Sequence, residues 1–170
     1  MNTNTKKASA PAVAEQTRNN TTGWIGHLPG DNRHIVRGQT FIANAEGDLQ
    51  SIEIYSNIVT DPGKVLMTIH TFDPQKQSWG PVLASSSVDF NKADADKWVT
   101  FNITGPHLDK GKSYGFRMET NESLIGIGEA AGSANQPLSS NGQEWKFTGN
   151  DKSGDAYSYF SLAFKVGIRA

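Results

Sequence analysis

The 170-residue chain contains no cysteine, which excludes disulfides, thiolate zinc sites and cysteine nucleophiles. It also has no apolar run close to the roughly 20 residues of a membrane-spanning helix, and we expect no membrane span. No basic run is longer than Lys6-Lys7, and the formal net charge is −1. Domains that bind nucleic acids usually carry a basic patch, so we expect no nucleic-acid partner.

Aromatic residues are absent from residues 1–22, which are rich in Ala, Thr and Asn. This composition predicts a flexible N-terminal tail. We find no clear signal peptide in it, because Ser9 and Pro11 interrupt the apolar stretch that follows Lys6-Lys7. From Trp24 onward the polar composition gives way to short alternations of apolar and polar residues. The remaining length suits a single domain over 23–170.

Sustained helical periodicity is also missing, and the best helical candidate, 93–97, is one turn at most. Short apolar alternations bounded by Gly, Pro, Asn and Asp take its place, which is typical of an all-β domain. The predicted strands lie near 38–44, 49–56, 64–72, 82–88, 97–104, 113–120, 123–128, 144–148 and 157–168.

The alternation of apolar and polar residues gives each predicted strand one buried face. Val99, Phe101 and Ile103 point one way in the stretch DKWVTFNITGPHLDKGKSYGFRM, and Phe116 and Met118 continue the same face after the turn. Strands with one solvent-exposed face are typical of antiparallel sheets. We therefore predict a β-sandwich of two antiparallel sheets with about eight or nine strands.

A family resemblance follows from GQTFIANAEGDLQSIEIY, KVLMTIHTF, PVLASSSV, KWVTFNITGPHLDKGKSYGFRM and SYFSLAFKV. Over roughly residues 38–167 the chain resembles the jelly-roll, galactose-binding-like carbohydrate-binding modules of bacterial surface and secreted proteins. The resemblance implies a secreted or cell-surface location and a ligand site on end loops or on an exposed sheet face. It also implies a calcium ion near the first strand, although Ser161 stands where many relatives carry an acidic residue.

Flat aromatic side chains are the best candidates for a ligand site, because sugar C–H faces stack on them. Trp79 lies in the segment QKQSWGP and Trp145 in NGQEWKFTGN, and both segments are polar and interrupted by Gly or Pro. We predict that Trp79 is exposed in a loop, that Trp145 lies in the predicted strand 144–148 within a polar stretch, and that both contact the ligand.

Four further candidates fall on the outer side of their predicted strands by alternation. Tyr55 and Trp98 would add aromatic surface, and Arg117 and Glu119 would add charged hydrogen-bonding groups. Trp98 also has a simpler interpretation, because its ring can merely cover the sheet.

Oxygen ligands for a cation are concentrated in VDFNKADAD, which contains Asp89, Asn91, Asp94 and Asp96. Calcium prefers clustered oxygen ligands, but the central glycine and closing Glu of an EF-hand loop are missing. A solvated loop is the simpler interpretation, and we expect no cofactor.

Catalytic motifs are lacking as well. There is no G-x-S-x-G elbow and no S-x-x-K, and GIGEAAG at 126–132 is followed by a polar turn rather than a helix, which argues against a dinucleotide loop. Paired carboxylates could build a glycosidase site; the available glutamates are Glu53, Glu119, Glu122, Glu129 and Glu144.

These observations favour a non-catalytic module that binds carbohydrate by aromatic stacking and side-chain hydrogen bonds. The alternative is a structural, self-assembling surface or shell protein that uses its N-terminal arm, for which a homo-oligomer is expected. The third hypothesis is a small jelly-roll hydrolase.

Overall fold

The computed structural model describes residues 12–30, 34–133, 142–149 and 153–169. It confirms an all-β fold, because strands and a single 3₁₀ turn (Lys92–Asp94) are the only regular elements in these ranges. None of the described residues belongs to a helix long and apolar enough to cross a membrane. The strands are β1 (Ala12–Gln16), β2 (Thr21–His27), β3 (His34–Ile42), β4 (Gly47–Asp61), β5 (Gly63–Asp73), β6 (Ser78–Phe90), β7 (Lys97–Asn102), β8 (His107–Leu108), β9 (Ser113–Glu119), β10 (Leu124–Ala131), β11 (Glu144–Thr148), β12 (Asp155–Tyr157), β13 (Phe160–Leu162) and β14 (Phe164–Arg169).

All the described strand pairs are antiparallel and belong to one hydrogen-bonded sheet, whose main path is β1-β14-β4-β10-β2-β3-β9-β5-β6. Strands β1, β14, β4, β7 and β8 form what we call the first arm, and β3, β9, β5, β6 and β11 form the second arm. Strands β10 and β2 join the two arms. The sheet curls, because Phe164 of β14 contacts Phe116 of β9 at 5.7 Å between ring centres although several strands separate them along the path.

The prediction of about eight or nine strands is wrong, since the described ranges contain fourteen strands in one continuous sheet. Strands of two or three residues, such as β8, β12 and β13, are too short to show an alternation in the sequence. The predicted strand 157–168 is interrupted by a turn at 158–159 and divides among β12, β13 and β14.

The core lies between the inner faces of the two arms. Ile52 and Ile54 of the first arm and Phe116 of the second are completely buried in one apolar cluster. Phe101 of β7 belongs to the same cluster, which confirms that Phe101 and Phe116 share the inner face. The alternation in the sequence therefore identified the buried face of each long strand.

The predicted flexible tail over 1–22 is wrong for residues 12–22, and residues 1–11 lie outside the described part. Residues Ala12–Gln16 form β1, which pairs with β14, and β2 begins at Thr21. Val13 is buried in the main core, and the amide of Asn44 donates to its carbonyl oxygen at 3.0 Å. The buried Gln16 side chain adds to these contacts, because its Nε2 donates to the Leu162 carbonyl oxygen at 3.2 Å.

We expect Val13→Ala to lower the free energy of unfolding by about 2 kcal/mol, because it removes two buried methyl groups and leaves a cavity. Urea denaturation measures the change. Glu15→Ala, on an exposed side chain of the same strand, is the matched control and should change stability by less than about 0.5 kcal/mol. Equal, small effects of both substitutions would contradict the packing of β1.

Candidate functional site

The structure divides the predicted site residues between the outer faces of the two arms. Tyr55 and Trp98 are paired directly across β4 and β7 in the first arm. Arg117, Trp145 and Trp79 lie together on the second arm, since Gly38 pairs with both Arg117 and Trp145 and the Trp79 ring lies over Gly38. The six predicted residues therefore do not form one site.

The tryptophans of the second arm form a satellite cluster with Phe72, Phe147 and the partly buried Val36. Trp79 belongs to β6, not to a loop, and its ring occupies space that two glycines leave free. A Cβ at Gly115 would lie 2.4 Å from Cζ3 of Trp79, and one at Gly38 would lie 3.0 Å from its Cη2. The glycines at these two strand positions are thus required by the indole that covers them.

The prediction of an exposed loop at Trp79 is wrong, whereas the predicted strand 144–148 that contains Trp145 is confirmed. Trp145 is only 4% exposed and lies in β11, and Trp79 is half-buried. The two rings meet edge to face at 5.9 Å between centres. The prediction of a loop at Trp79 depends on Gly80 and Pro81, which here belong to β6. A role for either ring in ligand binding stays a prediction.

Arg117 is held between two aromatic rings of the satellite cluster. Its guanidinium carbon lies 4.5 Å from the Trp79 ring centre and 4.1 Å from that of Phe147. Burial lowers the pKa of Arg117, and the nearby charge of Glu119 opposes this shift. The Arg117 guanidinium therefore covers part of the cluster, and its contacts with the two ring faces are favourable.

The outer face of the first arm is different, because its aromatic residues are half-exposed and surrounded by polar groups. We call Glu53, Tyr55, Trp98, Thr100 and Lys165 the β4 platform. Residues directly opposite in a ladder share a face, and the platform residues are related by the pairs Tyr55–Trp98, Glu53–Thr100 and Lys165–Glu53. The prediction that Tyr55 and Trp98 point outward is confirmed.

The side chains of the β4 platform are held in place by mutual contacts. The Tyr55 and Trp98 rings meet edge to face at 5.3 Å between centres, and the Lys165 ammonium lies 4.2 Å from the Trp98 ring centre. The Tyr55 hydroxyl donates to Asp96 Oδ1 at 2.9 Å, a hydrogen bond that raises the pKa of Tyr55. The Thr100 hydroxyl donates to Glu53 Oε1 at 3.3 Å. The platform thus presents two aromatic rings, a cation and a carboxylate within one small area.

Glu119 belongs to neither group, although its charge acts on Arg117, and it is exposed at the end of β9. It contributes with Lys64 and Glu122 to a shallow, open pocket of about 290 Å³. Its predicted role in ligand binding stays a prediction.

The predicted calcium ligands have local partners. Asp94 accepts a hydrogen bond from the amide of Asn91 at 2.8 Å and lies 3.4 Å from the Lys97 ammonium, while Asp96 binds Tyr55 and Asp89 is exposed. The metal-ligand geometry found among the described residues involves a different, largely exposed group, Glu46, His107 and Asp109. Calcium near 89–96 stays a prediction.

Sequence reasoning named Glu129 and Glu144 only as members of a list, but the structure brings them together. Strand β3 pairs with β2 at just two positions and then with β11, so the sheet forks between β2 and β11. Within this fork Arg37 Nη1 lies 3.7 Å from Glu129 Oε2 and 3.9 Å from Glu144 Oε2. Arg37 Nε also donates to the Trp24 carbonyl oxygen at 2.9 Å.

Glu144 is completely buried, and neither of its carboxyl oxygens accepts a hydrogen bond from a described residue. Burial raises the pKa of Glu144 to about 9, the nearby Glu129 carboxyl group adds to the shift, and Arg37 opposes it. One guanidinium therefore faces two carboxyl groups, and the raised pKa of Glu144 favours its protonated form. No period or motif in the sequence joins these two glutamates, since the fork alone makes them neighbours.

No family model and no curated protein sequence matches the chain. The likeness to galactose-binding-like modules therefore stays a prediction that depends on the strand sequences quoted above.

We expect Glu144→Gln to remove a pH dependence of stability. Because the pKa of Glu144 is raised on folding, the native state holds the proton more tightly than the unfolded chain. Stability is then highest below the unfolded pKa and falls as pH rises towards about 9, with a limiting slope of about 1.4 kcal/mol per pH unit. Urea midpoints measured from pH 5 to pH 9 should fall steeply for the native chain and less for the variant. Glu119→Gln, at an exposed carboxylate, should leave the profile unchanged, and parallel profiles for all three proteins would refute the shift.

We expect Gly115→Ala to destabilise the protein by about 1–3 kcal/mol, since the new methyl group overlaps the Trp79 ring. A double-mutant cycle with Trp79→Ala, measured by chemical denaturation, isolates the contribution of the overlap between the methyl group and the Trp79 ring. Without the indole the added methyl group has room, so the double variant should lose less stability than the sum of the single variants. Additive losses would mean that the ring does not require the glycine.

Proposed function

We propose that the protein is a non-catalytic carbohydrate-binding module whose ligand lies on the β4 platform. The observation that carries this proposal is the half-exposed Trp98 ring with Tyr55, Lys165 and Glu53 beside it. The part of the Trp98 ring that the Lys165 ammonium does not cover offers apolar surface to sugar C–H groups. The ammonium and the carboxylate supply a donor and an acceptor for hydroxyl groups.

The proposed fold is a jelly-roll sandwich of the galactose-binding-like type, in which the two arms are the two layers. The contacts of Phe164 with Phe41 and Phe116, at 6.2 Å and 5.7 Å between ring centres, support this interpretation. They join opposite arms through the core, as the layers of a sandwich do. A ligand site on an exposed sheet face is one of the two positions that the resemblance implies.

We expect Trp98→Ala to weaken glycan binding at least about tenfold, equivalent to 1.4 kcal/mol, because the stacking surface is removed. A glycan array of the purified protein identifies the sugar, and a titration followed by tryptophan fluorescence gives the affinity. Tyr159→Ala is the matched control, because Tyr159 is a 57% exposed aromatic residue outside the platform.

Two results would count against the proposal. A folded protein that binds no glycan on the array would remove the function, and an unchanged affinity of Trp98→Ala would remove the platform. Trp98→Phe, which keeps an aromatic face, should restore part of the binding and thereby separate stacking from a general loss of structure.

A hydrolase is a second candidate because Glu129 and Glu144 lie beside one guanidinium. Their side chains are 7% and 0% exposed, however, so a substrate could reach them only if the fork opened. The β4 platform needs no such rearrangement and is the better-supported site. The self-assembly alternative loses part of its proposed arm, since residues 12–16 pair with β14 of the same chain.

A further inference from the structure

Four ionisable side chains meet where the start of β4 pairs with the short strand β8. Asp48 lies directly opposite His107 in this ladder, Glu46 directly precedes β4, and Asp109 directly follows β8. Nε2 of His107 lies 3.9 Å from Glu46 Oε1 and 3.8 Å from Asp109 Oδ1. One imidazole nitrogen therefore faces two carboxylates that come from separate segments of the chain.

The other nitrogen of the His107 ring fixes the orientation of the imidazole. Nδ1 lies 2.9 Å from Asp48 Oδ1, and because a carboxylate can only accept, Nδ1 is the donor. In the neutral imidazole the lone pair is then on Nε2, the nitrogen that faces the two carboxylates. Histidines that bind metal ions commonly donate their other ring N–H to a carboxylate in this way. Asp48 is therefore suited to position the ring rather than to bind an ion.

The Asp109 carboxylate is held through its backbone and through its second oxygen. The Asp109 amide donates to the Tyr114 hydroxyl at 2.9 Å, and Oδ2 lies 3.0 Å from the Lys112 ammonium. The turn that follows is anchored as well, because the Gly111 amide donates to the Ala43 carbonyl oxygen at 2.8 Å. Oδ1, the oxygen that does not contact the ammonium, is the one that faces His107.

An open cavity of about 600 Å³ adjoins these side chains. His107, Asp109 and Lys112 contribute polar groups to its lining, and Phe72 and Leu83 contribute apolar surface. Cavities of this size that combine apolar walls with a few convergent polar groups are typical ligand sites. The cavity is an observation independent of the distances between the ionisable groups, and it makes them reachable for a ligand.

We propose that Glu46, His107 and Asp109 bind a divalent transition-metal ion such as Zn²⁺ at the rim of this cavity. Their ligand atoms lie within 4.8 Å of one another, whereas atoms bonded to one Zn²⁺ at about 2.0–2.2 Å in a tetrahedron lie roughly 3.4 Å apart. The three side chains are 65%, 51% and 41% exposed, so they can rotate by the remaining distance. Three protein ligands leave a fourth position of the ion for water or for a molecule in the cavity.

The ligand set favours a transition-metal ion over calcium, because imidazole nitrogen suits ions such as Zn²⁺ and Ca²⁺ takes oxygen ligands. A simpler interpretation is a protonated His107 that is balanced by the carboxylates without any ion. That arrangement has the same distances, but it predicts no Zn²⁺ affinity that depends on His107. None of these residues belongs to the β4 platform, so this proposal is independent of the carbohydrate proposal.

Isothermal titration calorimetry of the purified chain with ZnCl₂ tests the site. The hydrogen bond with Asp48 raises the pKa of His107, so pH 8 is used, where fewer protons compete for Nε2. We expect one Zn²⁺ per chain and at least tenfold weaker binding for His107→Ala and for Asp109→Asn. His27→Ala is the matched control, because His27 is also exposed and its ring stacks on that of His34 at 4.8 Å between centres. It should leave the affinity unchanged.

Substitution of Asp48 separates positioning of the ring from binding of the ion. Loss of such an outer partner typically weakens metal binding roughly ten- to hundredfold, so we expect about tenfold weaker Zn²⁺ binding for Asp48→Ala. Asp48→Asn should lose less, because its amide oxygen still accepts from Nδ1. Ca²⁺ should bind the unmodified chain at least tenfold more weakly than Zn²⁺.

Four results would overturn the proposal. They are no measurable Zn²⁺ binding, equal affinities of the unmodified chain and His107→Ala, a loss of binding in His27→Ala, and Ca²⁺ binding as tight as that of Zn²⁺. Circular dichroism of each variant without metal shows whether it is folded. Because the substituted side chains of Asp48, His107 and Asp109 are exposed, we expect unchanged spectra.

Discussion

The structure depends on the burial of one apolar face that the two arms share. Phe164 contacts aromatic side chains of β3 and β9 across the core, and it can do so only because β10 and β2 carry the sheet around a curve. Either arm alone would leave its inner face in water. Burial of the two faces against each other removes both from water, and this gain is the dominant favourable contribution to folding.

The aromatic residues on the outer faces of the two arms are packed differently. On the second arm, Gly38 and Gly115 admit the Trp79 indole, and Arg117 closes the cluster from above. On the first arm, Tyr55 and Trp98 stay half-exposed among charged groups. Trp145 of the second arm is therefore almost completely buried, whereas Trp98 of the first arm keeps part of its ring exposed.

The fork between β2 and β11 places charge inside a protein whose interior is otherwise mainly apolar. Arg37 balances one carboxylate, and the second carboxyl group is accommodated by protonation. An unpaired buried carboxylate would cost several kcal/mol. The fork therefore buries the Glu144 carboxyl group within 3.9 Å of the Arg37 guanidinium but without a hydrogen-bond partner among the described residues.

The amino-acid sequence by itself determined the strand character and the inner face of each long strand. Ile52, Phe101 and Phe116 could be assigned to the core because alternation depends only on neighbouring residues along one strand. Tertiary structure alone decided that β1 is ordered, that Trp145 is buried and that Glu129 meets Glu144. Each of these facts depends on a partner distant in the chain. The order of β1 depends on its pairing with β14, and the packing of the tryptophans depends on Phe72 and on the glycines of neighbouring strands. The two glutamates meet only because the sheet forks between β2 and β11. Local patterns carry no information about such partners, whereas burial and pairing depend on them.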